Sequence, residues 1–183
     1  MKGEATVAMN TRKTPEEIDA ERKNMQRLYL AIGQFIFEFS QLEWMIRHLL
    51  GEALALYDDA RFHAVTSPYD FAALCRVTRN VAKLIPGCTD ADKAELDAIF
   101  SGCLKVNDDR VRVAHGTWFI SNEEGMGSRH VSRSSLEPKV YYSRITDIDK
   151  VSQEIATLKS KIVQFLIGPK SEWGTILATD QER

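Results

Sequence analysis

Long apolar runs are missing from this chain of 183 residues. Its most hydrophobic stretch is interrupted at Glu38, Glu43, Arg47 and His48, so no segment reaches the roughly 20 apolar residues that a membrane-crossing helix needs. The N-terminus also lacks the apolar region of a signal peptide, and a cytoplasmic location with no membrane association is expected on these grounds. Cysteine is scarce. Cys75, Cys88 and Cys103 are odd in number and widely spaced, which suits neither a disulfide framework nor a zinc site, and no metal or cofactor is expected. Neither sign of charge dominates: 24 Lys and Arg against 26 Asp and Glu leave a formal net charge of -2. There is then no global pull on nucleic acid, and any polyanion site has to be local. A Walker loop, a dinucleotide glycine fingerprint and a nucleophile elbow are all absent. Asp90, Asp92, Glu95 and Asp97 lack the glycine and ligand spacing of a calcium loop and read as an acidic first turn of a helix.

What is present is helical periodicity. With 44% hydrophobic and 27% charged residues the composition is that of a globular protein, and the length suits one domain. Residues 1–13 are polar and aperiodic and read as a mobile arm. Thr14-Pro15-Glu16-Glu17 reads as a capped helix start. From there Met25, Leu28, Ile32, Phe35, Phe39, Leu42, Ile46 and Leu49 keep three-four spacing, while Leu30, Ile36, Phe37, Trp44, Met45 and Leu50 widen the stripe beyond what one neighbour covers. That excess width points to a homodimer. Residues 57–66 break the period and read as a connection. Ser67-Pro68 is read as the start of a second helix with Phe71, Leu74, Cys75, Val81, Leu84 and Ile85 inside, ended by Pro86-Gly87. Thr89 or Asp90 caps a third, through Leu96, Ile99, Cys103 and Val106 to a stop at Gly116. Aromatic and β-branched residues then suggest a small β-hairpin or meander over about 117–143. Thr146 or Asp147 caps the last helix, with Ile148, Val151, Ile155, Leu158, Ile162 and Phe165 inside, before Gly168-Pro169 ends it. The expectation is a mainly α protein: an antiparallel four-helix bundle over 14–167 with the hairpin between the third and last long helices. Residues 168–183 form a tail without an assignment.

Charge is concentrated at the end of the third helix, in Asn107-Asp108-Asp109-Arg110-Val111-Arg112-Val113-Ala114-His115-Gly116. Three-four spacing through Cys103 and Val106 next reaches residue 110 and then Val113, so Arg110 stands where an apolar side chain is expected. A guanidinium in such a seam needs a carboxylate, a subunit neighbour or an anionic ligand. Residues five apart on a helix are about 140° apart in projection. His115 therefore shares its face with Asp108, seven residues earlier, more closely than with Arg110, while Arg112 is the nearer cation. A patch of one imidazole, two guanidinia and carboxylates could cleave RNA by moving a proton at the 2′-hydroxyl or the leaving oxygen while arginine holds the phosphate. The structural alternative is an Arg110 ion pair with Glu38 or Glu43 on the first helix, and a His115 placed for the helix dipole. His48 reads as an interface or satisfied histidine and His63 as surface. His130 with Arg129 and Arg133 reads as a solvated basic cluster, and Trp118, Tyr141 and Tyr142 as aromatics packed on the bundle.

Arg110, four intervening residues and His115, closed by Ala114-His115-Gly116, resemble the signature of the HEPN (higher eukaryotes and prokaryotes nucleotide-binding) superfamily. The residue after the arginine, polar in many nuclease members, is Val111 here. The resemblance implies a small all-α bundle with the motif late in a helix. It also implies a metal-independent endoribonuclease in which two motifs face each other across a dimer, each chain giving one histidine. Arg110 and His115 would then be catalytic, with Arg112 and Asp108 accessory. A bacterial toxin or defence role with an antitoxin-like partner follows from the same resemblance. The competing expectation is a non-catalytic module that binds a nucleotide or a protein through the same patch.

Overall fold

A computed structural model describes residues 13–120, 126–131 and 138–167. The expected N-terminal arm, apart from Lys13, and the tail at 168–183 lie outside the described residues. The elements are α1 (Pro15–Ala53), α2 (Asp59–Thr66), α3 (Phe71–Ala82), α4 (Asp90–His115), β1 (Thr117–Ile120), β2 (Met126–Val131), β3 (Pro138–Tyr142) and α5 (Ile145–Ile167). The protein is mainly α-helical, and no helix among the described residues is long and apolar enough to cross a membrane.

Side chains that satisfy the first free N–H groups fix where the helices begin. Thr14 Oγ1 accepts from the Glu17 N–H (3.3 Å) and the Glu17 carboxylate accepts from the Thr14 N–H (2.7 Å), a reciprocal capping box. Thr89 and Asp92 repeat the arrangement at α4. Asp70 caps α3 by accepting from the Ala73 N–H at 2.7 Å. This corrects the start read at Ser67-Pro68, because Ser67 instead ends α2, donating its N–H to the His63 carbonyl. The short α2 is a second correction, to the connection expected over residues 57–66. Eight residues are too few to show a period, yet Asp58 caps the segment and the Phe62 ring lies over Gly51 of α1. A Cβ at Gly51 would come within 2.6 Å of that ring, so the glycine permits the contact. At the start of α5 the Asp147 carboxylate accepts from the Ser143 and Arg144 N–H groups.

α1 packs against α3 and α5, and α4 packs against the same two helices. Their inner faces close one core around Leu28, Phe35, Leu42, Ile46 and Leu49 of α1, Leu74 of α3, Leu96, Ile99 and Phe100 of α4, and Ile148, Ile155 and Ile162 of α5. Cys75 of α3 and Cys103 of α4 are both buried, and the neighbouring Cys103 thiol together with burial pushes the Cys75 thiol pKa well up. Arg47 ties the middle of α1 to the α2–α3 connection: it pairs with Glu43 at 2.6 Å and donates to the carbonyls of Thr66 and Tyr69. Between α4 and α5 the chain makes three antiparallel strands in the order β1-β2-β3, one more than a hairpin, with a register shift at Ser128/Arg129.

Candidate functional site

The last turns of α4 carry the charged stretch, and the helix fixes which of its residues face inward. Buried positions run Leu96, Ile99, Phe100, Cys103, Val106, Asp109 and Val113. The seam position assigned to Arg110 therefore belongs to Asp109, an anion, and Arg110 stands beside it, half-buried. Three-four spacing after Val106 permits either residue. The choice is made by β3, whose Tyr142 hydroxyl donates to Asp109 Oδ1 at 2.9 Å.

Asp109 Oδ1 also accepts from Arg112 Nη1 at 3.0 Å. The Arg112 guanidinium lies over the Tyr141 ring, 4.5 Å from its centroid, a cation–π contact. Trp118 of β1 donates its indole N–H to the Val113 carbonyl (3.1 Å) and stacks on Tyr142, with ring centroids 5.8 Å apart. One acid, one arginine and three aromatics thus bolt the end of α4 to the sheet. Burial, the hydrogen bond to Asp109 and the charge of that carboxylate hold the Tyr142 pKa above the usual tyrosine range. The tyrosine stays protonated and keeps donating.

On the other side of the same turns, Asp108 and His115 are exposed. Among the described residues Arg110 makes no hydrogen bond and no ion pair. The two acids considered as its partners are engaged elsewhere: Glu38 pairs with Lys159 of α5, and Glu43 with Arg47. Gly116, the residue that ends α4, is in the extended region, with φ -73 and ψ 148. The structure thus brings Asp109 and Arg112 together, keeps Arg110 apart from both, and leaves His115 at an exposed helix C-terminus.

Other histidines sit in apolar company. His48 stacks on Trp44, with centroids 5.2 Å apart and planes 8° apart, and lies 3.7 Å from Glu52. His63 packs edge-on against Phe62. The side chains of Arg129, His130 and Arg133 lie outside the described residues. Among the described residues no group of three or more His, Cys, Asp or Glu is placed to hold a metal ion. Sequence reasoning missed Asp109 and Tyr142 as a pair. An acid adjacent to the seam was visible, but its donor is 33 residues away and no local period points to it. Comparison with family models, with characterised proteins and with solved structures finds no match to this chain.

Proposed function

We propose that the outer side of the α4 C-terminus binds RNA, and that the protein is a metal-independent endoribonuclease of HEPN type in a toxin or defence setting. On this reading α1, α3, α4 and α5 form the four-helix bundle of that superfamily, with the sheet inserted before the last helix. One observation carries it: Arg110 is half-buried with no anionic partner among the described residues, whereas Arg112, two positions on, pairs with Asp109 and lies over the Tyr141 ring. A partly desolvated guanidinium with unused donors is a ready fork for a phosphate.

His115 is exposed in the last turn of α4, where its imidazole is open to a bound substrate and can pass a proton to or from it. The ribose 2′-oxygen attacks phosphorus as its proton leaves to one imidazole, and the bond from phosphorus to the 5′-oxygen breaks as a second imidazole protonates that oxygen. With one histidine per chain at the site, two chains supply the base and the acid. Arg110 holds the phosphate as its charge grows, and Asp108, on the His115 side of the helix, steadies the imidazolium. Arg112 keeps only its exposed edge for a second phosphate.

The test is cleavage of RNA by the purified protein in the presence of a chelator. His115→Ala should lower the rate by roughly 100-fold or more, the scale of general acid–base catalysis, and a 2′-deoxy substrate should remain intact. Undiminished activity in His115→Ala rejects the assignment. Val111 favours a second reading, because it is 37% exposed and places an apolar side chain beside Arg110. In that case the patch binds a nucleotide without cleaving it, and nucleotide raises the melting temperature while RNA survives.

A further inference from the structure

The face of α1 opposite the core is apolar. Leu28, Phe35, Leu42 and Leu49 repeat every seven residues on the buried side. Leu30, Phe37 and Trp44 repeat every seven on the outside, two positions later and so about 200° round the helix. They are 73%, 61% and 56% exposed. Tyr29 and Ile36 flank them, also exposed. From Leu28 to Phe37 the sequence contains no charged residue, although half of that segment faces away from the core. Between the large side chains lie small or neutral ones, Gln26, Gly33 and Ser40. A Cβ at Gly33 would meet nothing within 4 Å, and the Ser40 hydroxyl is turned back onto its own helix, donating to the Ile36 carbonyl at 2.9 Å.

We propose that this face pairs with the same face of a second copy, the two α1 helices running antiparallel about a two-fold axis near residue 35. Large residues at one heptad position and small ones at another form knobs and holes, and in an antiparallel pair each position of the first kind meets one of the second. Phe37 then covers Gly33 of the partner subunit, Leu30 covers Ser40 of the partner subunit, and Trp44 meets Gln26 of the partner subunit. Ile36 lies beside its own symmetry mate at the flank, and no like charges oppose one another over the central turns. The self-complementarity is what a two-fold contact requires. The five large side chains hold about 600 Å² of exposed surface, taking roughly 200 Å² for each complete side chain. That falls a little short of the about 800 Å² per partner of a standard interface, and the polar rim supplies the remainder.

This pairing does not depend on RNA cleavage. α4 packs chiefly on α3 and α5, and the outer face of α1 points away from that core. Joining two α1 helices therefore leaves the end of α4 uncovered, and a site needing two motifs would use a separate contact. The test reads mass and register. Light scattering of the full chain at micromolar concentration, freed of RNA so that only the α1 contact is read, should give twice the monomer mass. Phe37→Glu should halve it, and so should Gly33→Leu, a substitution that has room in a single chain and raises helix propensity. In a Cys88→Ser background, Leu30→Cys protein mixed with Ser40→Cys protein should form a disulfide-linked dimer, while neither should cross-link alone, since the bond needs Cα atoms within about 7 Å. A monomer, the result if residues 168–183 of the same chain covered the face, overturns the proposal. So does a dimer indifferent to both substitutions, or one in which Leu30→Cys cross-links to itself.

Discussion

Two arginines on the same helix, two residues apart, have opposite surroundings. Arg112 is clamped between a buried carboxylate and an aromatic ring. Arg110, half-buried one side over, touches no acid among the described residues. The inner side of these turns holds α4 to the sheet, and the outer side has charge that pairs with nothing among the described residues. The comparison teaches that a charged residue in an amphipathic helix is explained by what faces it. Position in the apolar period alone does not decide whether it serves stability or binding.

The sharpest way to break the contrast is to remove the shared acid. Asp109→Ala leaves Arg112 and the Tyr142 hydroxyl without their acceptor, and should cost about 3 kcal/mol, as for other broken buried pairs. At this chain length that is a fall of roughly 6–12 °C in melting temperature. A loss below about 1 kcal/mol would mean that the network is idle. Arg112→Met should cost less, about 1–2 kcal/mol by urea unfolding, because Tyr142 still satisfies the carboxylate and methionine keeps the contact with Tyr141.

Tyr142→Phe should cost about 1 kcal/mol near neutral pH and should also alter the pH profile. The folded protein holds the tyrosine proton more tightly than the unfolded chain, whose tyrosine titrates near 10.0. The contribution is therefore fully present below pH 10 and is lost as pH rises beyond it. Wild-type melting should fall across that range with a component that Tyr142→Phe lacks. The buried Cys75 thiol works with the same sign from about pH 9 upward, since the unfolded thiol titrates near 9.0.

The smallest effect on stability belongs to Arg110. Arg110→Met should change unfolding free energy by no more than about 0.5 kcal/mol, yet weaken RNA binding about tenfold, the scale of one charge-assisted pair. A large loss of stability would move Arg110 into the class of Arg112 and remove the contrast.

Much of the fold was legible because helix periodicity and capping are local. Thr14, Thr89 and the three-four stripes of α1, α4 and α5 can be read without knowing what they touch. The candidate site was legible only in outline. The charged stretch was visible, but placing Arg110 in the seam depended on extending a period that permits 109 as readily as 110. Tyr142 settled that choice from β3. α2 is not legible in the sequence, because its anchor is a bare glycine on a neighbouring helix, which no period within eight residues reveals.

By itself the sequence determined where helices begin, which stripe of each is apolar, and that charge gathers before Gly116, since backbone capping and side-chain periodicity act within one or two turns. Only the tertiary structure decided which charge is buried and which is left over. That outcome rests on the Tyr142 hydroxyl reaching Asp109, on Glu38 and Glu43 being taken by Lys159 and Arg47, and on Leu30, Phe37 and Trp44 of α1 staying exposed, because desolvation and pairing energies depend on groups far apart in the chain.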